Sequence, residues 1–136
     1  MNMNTLTTVA LVSGLSFAAL AAEVDISKLP PASDRKGVTF EADIKPIFEK
    51  SCVKCHSGEK PKAKLRLDTL ENVLKGAAGE KVVQPGKSAE SVLVHNVARL
   101  GEEDMWMPPP DNKDKIPPLT REQIGLIRAW VDQGAK

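Results

Sequence analysis

Residues 50–64 read "KSCVKCHSGEKPKAK", and this stretch contains both cysteines of the chain, Cys52 and Cys55, and one of its two histidines, His56. Concentrating all the thiol chemistry in five residues admits four explanations: a dithiol redox pair, a metal site, a covalently attached haem, or coincidence. A Cys-x-x-Cys disulfide closes a very short loop and constrains the chain little. A thioredoxin-like dithiol starts a helix after a strand, whereas this pair ends a helical pattern and no strand pattern precedes it. A structural zinc site needs about four nitrogen or sulfur ligands. Cys52, Cys55, His56 and His95 would supply four, but adjacent Cys55 and His56 depart from finger spacing and there is no second paired motif. Haem attachment accounts for every element. Two thiols two residues apart add to the two vinyl groups of one porphyrin, and the next residue is then held under the iron as its proximal ligand.

Upstream of the motif, Ile44, Ile47, Phe48 and Cys52 fall on one helical face. Asp43 is the expected cap, and Pro46 lies in the first turn, where its missing N–H costs nothing. Downstream, "LRLDTLENVLKG" (65–76) predicts a helix with Asp68 and Glu71 at capping-box spacing and Gly76 as the stop. A third helix is expected over 88–100, opened by Ser88 and closed by Gly101. Its Ser88, Ser91, His95 and Arg99 form a polar stripe, so His95 belongs to the polar face and reads as a surface or satisfied histidine. A fourth, "REQIGLIRAWVDQG" (121–134), has a Thr120/Gln123 capping box, Ile124, Ile127 and Val131 on one face, and Gly134 as terminator. No strand, repeat or low-complexity tract is evident. The fold class is therefore all-α.

The N-terminal region differs in kind. "LTTVALVSGLSFAALAA" (6–22) is uncharged, and Glu23 is the first charged residue. An apolar run ending in Ala19-Leu20-Ala21 predicts a secretory signal peptide over 1–22, cleaved near Ala21–Ala22. The "MNMNT" start lacks the usual basic residue, so an uncleaved membrane anchor is the alternative. Residues 23–38, with Pro30, Pro31 and Gly37, predict an extended, weakly ordered lead-in, leaving 39–136 as the domain. The formal net charge of +1 comes from 19 basic and 18 acidic residues with no basic run. This excludes a nucleic-acid binder. Three Phe, two Trp and no Tyr make a thin aromatic core, which an embedded prosthetic group would help fill.

An iron held by one histidine leaves a sixth position, for which Met105, Met107 and His95 are the candidates. Met107 is favoured. It lies in "MWMPPP" (105–110), where Pro108 restricts it to extended backbone. A stiff polar loop presents a soft thioether at low entropic cost, and an axial Met raises the potential.

These features resemble a small monohaem cytochrome c, and more narrowly the planctomycete-type cytochrome c domain. The stretches that carry the resemblance are "DIKPIFEKSCVKCH", "LRLDT", "VVQPGKSAESVLV", "MPPP" and "PLTREQIGLIRAWVDQGA", covering about residues 40–135. The resemblance implies a cytochrome c-like fold of about four helices around one haem c. It makes Cys52 and Cys55 the thioether anchors, His56 the proximal ligand and Met107 the distal one. It also implies that the first helix crosses the last, so that Phe48 meets Trp130, and that a backbone carbonyl, often a proline's, orients the proximal histidine. Pro61 is the nearby proline. Arg66 would face a haem propionate or solvent.

The expected function is electron transfer by an exported, periplasmic monomer that is not an enzyme and, once its leader is cleaved, not membrane-inserted. Its partners would be redox proteins with an acidic docking face, drawn to Lys54, Lys60, Lys62 and Lys64. The alternative is a haem enzyme or a ligand-binding sensor module with an open or labile sixth site.

Overall fold

The computed structural model describes residues 23–136, and the expected leader over 1–22 lies outside the described residues. Thr39, not Asp43, opens the first helical run. Its hydroxyl accepts from the Ala42 N–H at 3.3 Å, while the Asp43 carboxylate reaches back to the Thr39 N–H at 2.9 Å. The two residues cap reciprocally, so the helix begins a turn early. It starts as a wide π-type turn, Phe40–Ile44, and continues as α1, Lys45–Ser51, with Pro46 in the first turn. Cys52 ends it, with its N–H bonded to the Phe48 carbonyl at 2.8 Å.

Three further helices follow: α2 (Leu70–Lys75), α3 (Val92–Val97) and α4 (Arg121–Asp132). Short 3-10 turns and loops join them, and an isolated Ala77–Glu80 bridge is the only strand-like pairing among the described residues. The described protein is all-helical. No helix in it is long and apolar enough to cross a membrane. Thr69 rather than Asp68 caps α2, accepting from the Asn72 N–H. Gly76 ends it at φ +86°, where a Cβ would clash with the Glu80 carbonyl oxygen. The Thr120/Gln123 capping box opens α4 as expected.

The core centres on the crossing of the first helical run with α4. Phe48 meets Trp130 edge-on, with ring centroids 6.5 Å apart. Phe40, at the start of the run, lies 5.9 Å from both rings. All three are at most 1% exposed, and burying each contributes about 1.5–3 kcal/mol. The Trp130 Nε1–H and the Phe40 N–H both donate to the Lys136 carbonyl, at 3.0 and 2.7 Å. The chain end is thereby bound to the helix start.

Two expectations need correction. The lead-in 23–38 is fastened to α4, not loose. The Ser33 N–H donates to the Gly125 carbonyl at 2.9 Å, and Arg128 donates to the Pro30 carbonyl. Gly125 permits this approach, since a Cβ there would lie 2.7 Å from the Pro31 carbonyl oxygen. Nor does Ser88 open the third helix; it and Ser91 are both fully buried. Ser88 donates to Asp132 from its N–H (2.8 Å) and its hydroxyl (3.0 Å), and accepts from Arg128 Nε (3.0 Å). Ser91 accepts from the Gln84 N–H and donates to the Lys87 carbonyl, both at 2.9 Å. A polar stripe faces inward when partners of matching chemistry meet it, here Arg128 and Asp132, which are i, i+4 neighbours on α4. Helix α3 accordingly starts after Ser91 rather than at Ser88, and it stops before Arg99, whose φ is +55°.

Candidate functional site

The end of α1 delivers Cys52 with its side chain buried and Cys55 half-buried, both as free thiols. A tight turn carries the chain on: the Cys55 and His56 N–H groups donate to the Cys52 carbonyl at 3.1 and 3.0 Å. The following loop then folds back onto the motif. Lys62 N–H bonds the Cys55 carbonyl at 2.9 Å, and Leu67 N–H bonds the His56 carbonyl at 2.8 Å.

That return sets the state of the buried imidazole. His56 Nδ1 lies 3.1 Å from the Leu65 carbonyl oxygen and 3.2 Å from that of Lys62. Carbonyl oxygens only accept, so Nδ1 carries the proton and Nε2 keeps its lone pair. Burial is the main cause that holds the His56 pKa below its ordinary value, against the opposing pull of the two carbonyls. The ring is thus neutral, and Nε2 is the nitrogen left with a free lone pair. Pro61 is not its partner; the Pro61 carbonyl accepts from Lys64 instead. Burial, reinforced by neighbouring Cys55, pushes the Cys52 thiol up to about 12. A redox dithiol works through a lowered thiol pKa, so this pair is poorly suited to that chemistry. Nor are three His, Cys, Asp or Glu side chains gathered around a common metal position among the described residues. The zinc reading needs His95 brought to the cysteines, and His95 is bound elsewhere: its Nε2 lies 2.7 Å from the Ala89 carbonyl oxygen.

The methionine loop starts and finishes at the C-terminal end of α3. Met107 N–H donates to the Asn96 carbonyl at 3.0 Å, and Arg99 Nη2 donates to the Pro108 carbonyl at 3.0 Å. Trp106 closes the loop from within, its Nε1–H donating to the Gly101 carbonyl at 3.2 Å. Met107 is half-buried and packs against the core cluster, whereas Met105 is 46% exposed. Nothing in the sequence marked Asn96 for this role, and Arg99 was placed only on the polar stripe of the third helix.

Residues 52–111 match the family model described as Planctomycete cytochrome C. This stretch is similar to the planctomycete-type cytochrome c domain. No curated protein and no solved structure matches the chain. The matched stretch includes Cys52, Cys55, His56 and Met107 and lies between the aromatic-bearing helices α1 and α4.

The family implies haem c, and the donor set fits it. Two free thiols stand at the attachment spacing, beside a neutral imidazole whose Nε2 has no hydrogen-bond partner among the described residues, and a half-buried thioether sits in a loop fastened to α3. A surface hollow of about 750 Å³ lies beyond the motif, lined in part by Lys60, Lys64, Arg66, Asn72 and Lys75. None of the four donor residues lines it, so it is not the centre of the candidate site. Arg66, at its edge, pairs with Asp68 and helps hold the Asp68 carboxyl below its ordinary pKa.

Proposed function

We propose that this chain is an exported monohaem c-type cytochrome that carries single electrons between redox proteins, with His56 and Met107 as its two axial ligands. The observation that carries the reading is the fixed tautomer of His56. Two backbone carbonyls take the Nδ1 proton, so the imidazole is oriented to bind iron before any ligand arrives. Bound haem supplies one-electron ferric–ferrous chemistry. Cys52 and Cys55 would hold it through thioether bonds, and His56 and Met107, the latter from a loop anchored to α3, would supply the nitrogen and sulfur ligands to its iron. Burial of Cys52 and His56 would shield that side of the group from water, one of the levers by which a protein sets a haem potential. Nothing in this arrangement favours acid–base chemistry at the distal side, since His95 is held by Ala89.

Of the four lysines expected to steer an acidic partner, Lys54 is already committed to Asp114. Lys60, Lys62 and Lys64 are exposed and form the proposed docking charge, which salt would screen.

The test is spectroscopic. The ferric protein is expected to be low-spin with the weak near-infrared Met–Fe(III) charge-transfer band. Met107→Ala should abolish the band and open the iron to cyanide, while Met105→Ala should leave it unchanged. A high-spin spectrum in the parent protein would favour the open-site haem enzyme or sensor instead. Loss of the band in Met105→Ala would reassign the ligand.

A further inference from the structure

Arg99 combines features that ordinary surface arginines do not. It adopts φ +55°, a left-handed backbone that costs free energy for any residue but glycine. Its Nε is buried without a hydrogen-bond partner among the described residues, a further cost. Two contacts stand against these costs, and both go to the methionine loop. Arg99 Nη2 donates to the Pro108 carbonyl at 3.0 Å. The guanidinium carbon lies 5.9 Å from the Trp106 ring centroid, within reach of a cation–π attraction. Met107 is the residue between Trp106 and Pro108.

We propose that Arg99 is the positioning residue of the sixth ligand: it holds the Trp106 ring on one side of Met107 and the Pro108 carbonyl on the other, and so holds the thioether against spontaneous release. The left-handed turn at Arg99 reverses the chain directly after α3, so the same residue that ends the helix reaches across the loop it begins. The Met107 N–H bond to Asn96 fixes one backbone atom, and Arg99 supplies the hold on the flanking residues. Without it, the loop would keep a single hydrogen bond to α3 near the ligand. The inference rests on the Met107 reading above.

The test uses the haem-loaded protein, Arg99→Lys and Arg99→Ala, titrated with imidazole well below the thermal midpoint of each. Imidazole competes for the position Met107 occupies, so its affinity reports how firmly the thioether is held, a quantity that a purely structural loss elsewhere would not move. Losing a charge-assisted hydrogen bond should raise imidazole affinity by about tenfold or more. Arg99→Lys keeps the charge but loses the planar fork and the stacking. It should shift in the same direction, and it carries the test if Arg99→Ala does not fold. Unchanged imidazole affinity in Arg99→Lys, with a charge-transfer band that still depends on Met107, overturns the role of Arg99 alone. A band that survives Met107→Ala overturns the ligand assignment and this inference with it.

Discussion

The segment around His56 and the loop around Met107 each present one candidate ligand, and both are tied down by backbone carbonyls, but the ties reach different atoms. At His56 the candidate ligand's side chain itself is bonded, through Nδ1 to Leu65 and Lys62. Its own carbonyl is also taken, by Leu67, which is 3% exposed. At Met107 only the backbone is bonded, to Asn96, with Arg99 holding the next residue. A thioether has no strong donor or acceptor for the protein to grip, so its orientation depends on packing and on the loop. Residues 101–105 of that loop are exposed. The His56 side is therefore tied through the side chain itself and integral to the core, while the Met107 side is a loop fastened through its backbone, for which independent opening is the expectation.

The largest effect expected from this contrast is at Trp130. Removing the ring by Trp130→Ala leaves a cavity beside Phe48, which positions the Cys-x-x-Cys-His turn, and should cost about 3–5 kcal/mol in denaturant unfolding of the haem-loaded protein. Under native conditions the same variant should keep its near-infrared band and its parent imidazole affinity. If Trp130→Ala instead frees the sixth position while global stability barely changes, the two sides are not independent and the contrast is broken.

Amide exchange reads the contrast without mutation. The Leu67 N–H, bonded to His56, should exchange only through opening of the core. The Met107 N–H, bonded to Asn96, should exchange through local opening of its loop. Protection at Leu67 should exceed that at Met107 by about tenfold or more. Equal protection would mean that the loop unfolds with the core, and the distal side would then be as firmly built as the proximal one.

The two sides also differed in how well the sequence disclosed them. The Cys-x-x-Cys-His order, the apolar spacing that puts Phe48 and Cys52 on one face, and the Thr120/Gln123 box are local patterns, and a local pattern survives translation into structure. The partner of His56 is a backbone carbonyl, which every residue possesses, so no residue type marked Leu65 and the nearby proline drew attention instead. The burial of Ser88 and Ser91 was not legible because the groups that bury Ser88 lie at Arg128 and Asp132, 40 and 44 residues away. The early helix start had a local cause that was visible but ambiguous. Thr39 and Asp43 both can cap, and only the reciprocal bond between them fixes which residue is outside the helix. Arg99 was misread because helical periodicity was extended past Val97, where α3 has already stopped.

One side-chain contact ties the two regions together. Lys54, inside the Cys-x-x-Cys turn, pairs with Asp114 on the outer part of the proline-rich loop. If the contact coupled the sides strongly, opening the methionine loop would disturb the haem anchor, and the proposed independence would fail. The pair is 64% and 36% exposed at its two side chains, so solvent and salt screen it, and an exposed pair of this kind is worth about 0–1 kcal/mol. Asp114→Asn should therefore shift the unfolding midpoint little and leave imidazole affinity within about twofold of the parent. It should also free Lys54 for an acidic partner. At low ionic strength, association with an acidic redox protein should quicken, and 0.5 M salt, roughly five times the ionic strength at which charges are felt only over ~10 Å, should erase the gain. A shift in imidazole affinity comparable to that of Arg99→Lys would make Lys54–Asp114 a second clamp on the distal loop, and the clean division between a core-built proximal side and a self-opening distal side would have to be abandoned.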